Sequence, residues 1–362
     1  MRRTNRSRPT LEQVARAAGV SKGTASKVLN RRPDISSQTR RRVEQAIDEL
    51  GYVPTTGPRE PDRLQKVNVV FNTLVNLYSM HVLEGIVGAA HVQRVEVLVD
   101  MLGPSPEDDG PLSAAWIRRL AAHGRTGVIA VTSELTADQR DLMRALGLSV
   151  VLVDPLNPLD DEVVSVGATN FTGGIQATRH LLDLGHRRIA FAGGPASSMA
   201  SHERLQGYLS AMSSAGAAID KRLILEREFN VPAGLEMAST FLADPQPPTA
   251  IFAGCDASAL GVFEAARQRG LRVPQDLSVV GFDDTYMAVS TAPPLTTVRQ
   301  PIVDMGRVAL RTLLQQARGE RADSHHVQLS TQLVVRGSTA APGTGAVHGS
   351  PVEPHAPESA QR

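Results

Sequence analysis

The chain has 362 residues, with 38 basic and 37 acidic side chains, and 41% of its residues are hydrophobic, which is enough for more than one folded domain. The single cysteine, Cys255, excludes a disulfide framework within the chain. No apolar run approaches the roughly 20 residues of a membrane span, and none follows the basic first residues. We therefore expect a cytoplasmic protein that does not cross a membrane.

Three short helices are predicted near the start of the chain. Thr10 and Gln13 have the spacing of a capping box, and an apolar stripe with helical period follows them. Gly19 ends this helix, and Ser21 begins a second one. The inward positions of the second helix are Ala25, Val28 and Leu29, and its outward positions are Lys22, Gly23, Ser26, Lys27 and Asn30. A third helix is predicted to begin at Ser36 or Ser37, so the pattern is that of a helix-turn-helix.

The charge of this segment agrees with DNA binding. Residues 1–60 hold 13 basic and 6 acidic side chains, a net charge of +7, whereas the whole chain has a net charge of +1. Two of the four lysines, Lys22 and Lys27, lie on the second helix, which a helix-turn-helix presents to the major groove. The competing interpretation is a small helical bundle with ordinary solvated charge.

The rest of the chain alternates short apolar runs with helical patterns, which predicts βαβ units and parallel sheets in two α/β subdomains. The predicted strands cover residues 67–71, 95–100, 127–131, 150–154, 188–192, 250–253, 277–282 and 331–335. The predicted helices cover residues 80–94, 112–120, 137–146, 171–184, 203–214, 233–242, 258–269 and 305–318. We assign 1–54 to the DNA-binding domain, 55–66 to a linker, 67–340 to the α/β region and 341–362 to a disordered tail.

Several segments closely resemble the lactose-repressor/galactose-repressor (LacI/GalR) family of bacterial transcriptional regulators. The matching segments are VARAAGVSKGTASKVLN, RRRVEQAIDELGYVP, HLLDLGHRRIAFAGGP, ERLQGY, VPQDLSVVGFDD and PPLTTVRQP. The resemblance implies an all-α helix-turn-helix headpiece and a sensor of two doubly wound α/β subdomains joined by three crossovers, like a type I periplasmic binding protein. It also implies a homodimer that binds a palindromic operator and, between the subdomains, a small-molecule effector, expected to be a carbohydrate.

The resemblance assigns the DNA contacts residue by residue. Lys22 and Gly23 match positions that contact bases, and Lys27 matches a third, where the family usually has arginine. A lysine lacks the planar fork with which arginine binds guanine. The remaining contacts are expected at Thr10, Ser21, Thr24, Ser26, Asn30, Ser36 and Thr39. For Ser21 and Ser36 the alternative is helix capping, and both roles are compatible.

In the sensor the resemblance places effector contacts at strand ends. Asp154 follows a predicted strand, and Arg204 with Asp283 matches a charged pair that brackets the effector. Carboxylate and guanidinium groups bind vicinal hydroxyls with paired hydrogen bonds. The alternatives are a surface charge for Arg204 and a helix cap for Asp283 with Asp284.

Aromatic and neighbouring positions complete the predicted effector site. Phe229 matches a ligand-stacking position, with ordinary core packing as the alternative, and Tyr78 is expected to line the opposite lobe. Asn170 and Cys255 are also assigned to the site, but Cys255 stands where the family commonly has asparagine, and Thr169 stands where it usually has aspartate. Both changes weaken the assignment to a specific sugar.

Other functions are less consistent with the sequence. The glycine pairs 173–174 and 193–194 are weaker than a dinucleotide-binding fingerprint, and the two histidines at 325–326 lack metal-site spacing. We therefore expect no enzyme activity, cofactor or metal. Repression is favoured over activation only by family habit, and a non-sugar effector remains open.

The linker departs from the family in one respect. Family members usually form a short hinge helix on DNA, with a leucine inserted into the minor groove. Here Pro61 falls at that position, with Gly57 and Pro58 before it. Because proline within a helix costs about 3 kcal/mol, we predict a weak or absent kink in the operator.

Overall fold

The computed structural model describes residues 10–29, 35–50, 64–103, 111–157, 163–320 and 324–343. These residues fall into two compact units, divided between Leu64 and Gln65. We call the first unit the head and the second the sensor. Asn30, the predicted hinge and most of the predicted tail lie outside the described residues.

The head consists of three helices, α1 (Leu11–Ala17), α2 (Lys22–Leu29) and α3 (Ser37–Leu50). The capping box of Thr10 and Gln13 is present at the start of α1. Gly19 has a φ of +65°, which permits the tight turn before α2. The head core is formed by the apolar faces of the three helices, with the buried side chains Val14, Ala15, Ala18, Ala25, Val28, Val43 and Ala46.

The sensor alternates strands and helices. Its strands are β1 (Gln65–Phe71), β2 (Val95–Met101), β3 (Gly127–Val131), β4 (Ser149–Val153), β5 (Val164–Ala168), β6 (Ile189–Gly193), β7 (Ile224–Glu226), β8 (Ala250–Ala253), β9 (Ser278–Asp283), β10 (Thr296–Arg299), β11 (His326–Leu329) and β12 (Gln332–Val334). Its helices are α4 (Leu77–Gln93), α5 (Ala114–Ala122), α6 (Ala137–Ala145), α7 (Asn170–Asp183), α8 (Met199–Ser214), α9 (Val231–Leu242), α10 (Asp256–Gln268), α11 (Tyr286–Ser290) and α12 (Ile302–Ala317), with a 3₁₀ turn at Lys221–Leu223.

The strands form two six-stranded sheets within the described part of the sensor. The first has the order β11-β5-β4-β3-β1-β2 and is parallel throughout. The second has the order β12-β10-β9-β8-β6-β7. We call the first sheet with α4, α5, α6 and α12 the N-lobe, and the second with α7 to α11 the C-lobe. The predicted pair of α/β subdomains is therefore confirmed.

Three segments of the described chain cross between the lobes. Thr169 joins β5 to α7, Gln300 and Pro301 join β10 to α12, and the third segment joins β11 to β12. Because parallel strands end at the same edge, these crossovers lie beside the carboxyl ends of the strands, where α/β proteins bind ligands.

Each sheet is covered by helices on both faces, which explains its nearly continuous apolar strands. In the N-lobe, Val67 and Val69 pack toward α4 and α12, while Val128 and Ala130 pack toward α5 and α6. In the C-lobe, α9 and α10 cover one face of the sheet, and α7 and α8 cover the other.

Gly174, the second residue of the glycine pair 173–174, and Gly207 serve helix packing. A Cβ on Gly174 would lie 2.4 Å from the carbonyl oxygen of Arg204, and one on Gly207 would lie 2.3 Å from that of Phe171. The two glycines therefore allow α7 and α8 to approach closely, and this contact positions Arg204.

The structure corrects the sequence prediction in two respects. The sheets are not entirely parallel, because β12 pairs antiparallel with β10 at the edge of the second sheet. The prediction also missed β5, β7, β10 and β11. No helix in the described segments is long and apolar enough to cross a membrane.

Candidate functional site

The second helix of the head presents a basic surface. Lys22, Gly23 and Lys27 are exposed, while Ala25 and Val28 face the core. At the start of the helix, the backbone N–H of Thr24 donates to Ser21 Oγ over 3.0 Å. The capping role considered for Ser21 is therefore present, with exposed Lys22 at the start of α2 and exposed Lys27 in its last turn.

The other predicted DNA contacts lie on the surface of the head. The N–H of Thr39 donates to Ser36 Oγ over 3.2 Å at the start of α3, so Ser36 is also a cap. Thr10 is exposed at its own cap, and Ser26 is half-buried on α2. The geometry gives both serines a structural role and leaves DNA contact as a prediction.

In the N-lobe, a tyrosine and a carboxylate meet at the carboxyl ends of β1 and β4. Tyr78 Oη donates to Asp154 Oδ2 over 2.5 Å. Asp154 has a φ of +43°, a conformation that L-residues rarely adopt and that is often found at functional sites. Burial raises the pKa of Asp154. The pKa of Tyr78 is raised chiefly by burial and, as the second cause, by the charge of Asp154.

In the C-lobe, the predicted charged pair is present and buried. Arg204 on α8 is only 3% exposed, and its Nη1 lies 3.8 Å from Asp283 Oδ1. Arg204 Nε donates to Asn170 Oδ1 over 2.9 Å, and Nη1 donates to the carbonyl oxygen of Gly254 over 2.6 Å. The surface-charge alternative for Arg204 is therefore wrong. The charges of Arg204 and Asp283 contribute to the pKa of Tyr78, and the charge of Arg204 contributes to that of Asp154, so the two groups of side chains lie near one another across the lobes. We call the region between them the cleft.

Two aromatic rings flank Arg204. Its guanidinium carbon lies 3.9 Å from the ring centre of Phe282 and 5.5 Å from that of Phe229. Phe229 is half-buried and lies so close to Gly194 that a Cβ there would be 2.0 Å from its Cζ. Gly194 of the GGP segment thus makes room for this ring, which combines core packing with a partly accessible face.

The helix-cap alternative for Asp283 with Asp284 is wrong, because both residues lie in a strained turn before Thr285, which is the N-cap of α11. Asp283 has a φ of +113° and Asp284 one of +55°. Asp284 is ion-paired with Arg299 and Arg336, while Asp283 turns toward Arg204. The two side chains therefore diverge, and Asp283 is the one at the cleft.

Cys255 and Asp256 lie behind the cleft at the start of α10. The N–H of Ser258 donates to Cys255 Sγ over 3.3 Å, so the thiol caps the helix. Burial, with the charge of Asp283 second, raises the pKa of the thiol to about 12. Asp256 accepts hydrogen bonds from Thr285 and Thr297, and burial followed by the charge of Asp283 raises its pKa.

Sequence reasoning missed Gln300. Its Nε2 donates to Asp283 Oδ1 over 2.6 Å, and it follows β10 at the crossover to α12. Its position in the PPLTTVRQP segment was the available signal, but β10 was not predicted, so the position was not recognised as a strand end. Burial raises the pKa of Asp283, while Arg204 and the Gln300 bond oppose that shift.

Thr169 joins two crossovers. Thr331 N donates to Thr169 Oγ1 over 2.9 Å, and the two hydroxyl oxygens lie 3.0 Å apart. Asn170, the next residue, donates to the carbonyl oxygen of Ala168 and accepts from Arg204. Both side chains are thus held by the protein at the boundary between the lobes.

Known proteins resemble the chain over most of its length. Residues 10–55 match the model for bacterial regulatory proteins of the lacI family, and residues 178–339 match that for a periplasmic binding protein-like domain. The HTH-type transcriptional regulator DegA of Bacillus subtilis (strain 168) is 35% identical over 338 residues, which cover 91% of this chain and 98% of that protein.

Two solved structures have the same architecture. A complex of the transcriptional regulator CelR with cellobiose gives a TM-score of 0.69 at 32% identity, covering 91% of this chain and all of that one. The lac repressor dimer bound to operator and the anti-inducer ONPF gives a TM-score of 0.70 at 28% identity, covering 92% of this chain and all of that one.

Proposed function

Because the chain belongs to the lacI family of bacterial regulatory proteins, we propose that it represses transcription by binding a palindromic operator as a homodimer. A small polar effector, in the first instance a carbohydrate, controls its affinity for the operator from the cleft. The observation that carries the proposal is the presence in one chain of a capped, exposed basic helix and a cleft built around the buried Arg204–Asp283 pair. An activator would use the same two sites.

The proposed DNA contacts follow from exposure and charge. Lys22 and Lys27 extend from α2 into solvent, and the absence of a side chain at Gly23 leaves room for close approach of a base edge. The operator complex of the lac repressor supports this use of a lacI-family head. Phosphate contacts are expected to make the affinity depend steeply on salt concentration.

The proposed effector contacts come from both lobes. Tyr78 and Asp154 would contact one side of the ligand, and Arg204, Asp283 and Phe229 the other. The complex of CelR with cellobiose supports a saccharide in such a site. Because the predicted contacts belong to different lobes, ligand binding would favour one relative position of the lobes, which is how an effector is coupled to DNA binding.

The proposed homodimer has an apolar surface available on the N-lobe. Val87 and Val92 on α4 are exposed, as are Leu98, Val99 and Met101 on β2, the edge strand of the first sheet. Exposed apolar edges favour association. A second copy is the proposed partner, as in the lac repressor dimer.

The proposal is tested by incubating purified full-length protein with sheared genomic DNA and identifying the bound fragments. We expect a few fragments to be retained over random DNA, and retention to be lost in the Lys22→Ala/Lys27→Ala double variant. Lys221→Ala, which removes an exposed lysine from the sensor, is the matched control. Equal binding of all fragments would contradict sequence-specific recognition.

The predicted weak operator kink is tested with a fragment so identified. Circular-permutation gel shifts should show little bending, because Gly57, Pro58 and Pro61 disfavour a hinge helix. A large bend centred on the operator dyad would show that the hinge folds and inserts despite its prolines.

A further inference from the structure

Acidic side chains outnumber basic ones in the cleft. Asp154 and Asp283 face it from opposite lobes. The half-buried Glu203 lies near Asp154: burial raises the pKa of Glu203, and the charge of Asp154 raises it further. Among the described residues, Arg204 is the cation that lowers the pKa of all three carboxyls. The exposed His202 lowers the pKa of Glu203 alone. The cleft therefore holds two buried carboxyls and one buried guanidinium, with the half-buried Glu203 beside Arg204 on α8.

Arg204 cannot balance this excess. Two of its three nitrogens already donate to Asn170 and to the carbonyl oxygen of Gly254. Its 3.8 Å separation from Asp283 exceeds hydrogen-bond length, and its planar face lies against Phe282. It is thus held in place mainly by neutral groups, and at most one carboxylate is neutralised.

An acceptor without a partner supplies independent evidence for a ligand. Gln300 is 4% exposed, and its Nε2 is bonded to Asp283. Its Oε1 is buried and receives no hydrogen bond from the described residues. A buried acceptor without a donor costs about 1–3 kcal/mol, so this oxygen beside Asp283 indicates a donor that the chain itself does not provide.

Two further side chains near the cleft are already bonded within the protein. Thr169 is bonded to Thr331 and Cys255 to Ser258, in place of the aspartate and asparagine usual in the family. What remains accessible is rich in acceptors and negatively charged. A ligand that supplies hydrogen-bond donors would pair with these acceptors, and a positive charge on it would balance the carboxylates. Both matter because an unbalanced buried charge is costly.

We propose that the effector carries a protonated amine, as in an amino sugar, which binds between Asp154, Asp283 and Glu203 and donates to Gln300 Oε1. This inference rests on the proposed function only in taking the cleft as the effector site. Phe229 and the free edge of the Arg204 guanidinium would contact the rest of the ligand.

The test uses matched pairs of ligands that differ only in the amine. Full-length protein is titrated calorimetrically at neutral pH with glucosamine and glucose, galactosamine and galactose, and the glucosamine disaccharide and cellobiose. We expect at least one amino compound to bind tenfold or more tightly than its neutral counterpart. The proposal is overturned if no amino compound binds, or if a neutral sugar binds as tightly as its amino counterpart.

Substitutions then localise the preference. Asp154→Asn should reduce the ratio of amine to neutral affinity at least tenfold, because it removes one charge and keeps the shape and the acceptor oxygen. Asp138→Asn, at an exposed position on α6 of the same lobe, should leave the ratio unchanged. An unchanged ratio in Asp154→Asn, with the melting temperature of the wild type, would also overturn the proposal.

Selection of genomic DNA fragments with the same preparation separates this inference from the proposed function. Specific DNA retention together with tight binding of a neutral sugar would leave the regulator intact and refute the amine. Tight binding of an amine without specific DNA retention would support the cleft assignment and refute the regulator.

Discussion

The two binding regions place their charges in opposite environments. On α2 of the head, Lys22 and Lys27 are exposed, whereas in the sensor Arg204, Asp256 and Asp283 are almost completely buried. Exposed lysines suit a polyanion, since counterion release drives binding without desolvating a protein core. Buried charges are costly unless they are paired, but they give strong directional contacts to a small ligand. Substitutions in the head should therefore change binding alone, and those in the cleft should change folding as well.

The largest effect is expected from Arg204→Ala. It leaves Asn170 Oδ1 and the Gly254 carbonyl without their donor and Asp283 without its ion-pair partner. Removal of one partner of a buried charged pair costs about 3–5 kcal/mol. The free energy of unfolding of the sensor should fall by that amount in urea denaturation. Arg204→Lys should lie between wild type and alanine, and Lys22→Ala should match wild type. A stable Arg204→Ala protein would mean that the cleft charges are solvated like those of the head.

A second expected effect is a pH dependence of stability that originates in the cleft. The pKa of Asp283 is raised by burial; Arg204 and Gln300 lower it, and Asp154 raises it further. Burial and the charge of Asp283 raise the pKa of Asp256. A carboxyl whose pKa is raised by folding contributes stability below its unfolded pKa of about 4 and loses that contribution as pH rises through its folded pKa.

Asp283→Asn removes this titration. Between pH 4 and pH 8, rising pH should lower the free energy of unfolding of wild type more than that of the variant. The variant should therefore become more stable relative to wild type as pH rises. Asp276→Asn is a control whose curve should stay parallel to wild type in this window, because the bond from exposed Arg272 lowers the pKa of Asp276 to about 2, and its contribution is lost only as pH falls below about 4. Parallel curves for wild type and Asp283→Asn would show that Asp283 titrates like a surface carboxyl.

A smaller effect, confined to DNA binding, is expected from Lys27→Ala. Loss of a base contact should weaken binding to a selected fragment by about 1–3 kcal/mol without lowering the melting temperature. If Lys27 contacts phosphate instead, the variant should bind all DNA sequences more weakly. The slope of log affinity against log salt concentration should then decrease in magnitude by about one. Gel shifts at several salt concentrations, with Lys221→Ala as control, distinguish the two. A drop in melting temperature would contradict the separation of binding from folding in the head.

The smallest effect is expected at the crossovers. Thr169→Val removes the hydroxyl that accepts from Thr331 N, which is worth about 1 kcal/mol. The melting temperature of the sensor should fall slightly, and the response of DNA binding to a cleft ligand should change, because the bond joins two segments between the lobes. Thr172→Val, at an exposed site on α7, serves as the control. If both variants behave like wild type, the Thr169–Thr331 bond does not couple the lobes.

The sequence by itself determined the head and the order of most sensor elements. Capping residues and the helix they cap lie within three or four positions, as for Thr10 with Gln13 and Ser21 with Thr24, so both partners are visible in one short window. Long helices and apolar strands repeat often enough for their period to be recognised. The family segments then indicated which strand-end residues belong to the cleft.

Only the tertiary structure decided how those residues meet. Tyr78 and Asp154 are 76 positions apart and meet because β1 and β4 both adjoin β3. Gln300 reaches Asp283 because β10 lies beside β9, and Thr169 reaches Thr331 because two crossovers run side by side. The local period of a strand specifies which faces are buried, but it carries no information about lateral order in a sheet. Lateral order depends on packing between segments that are far apart in sequence.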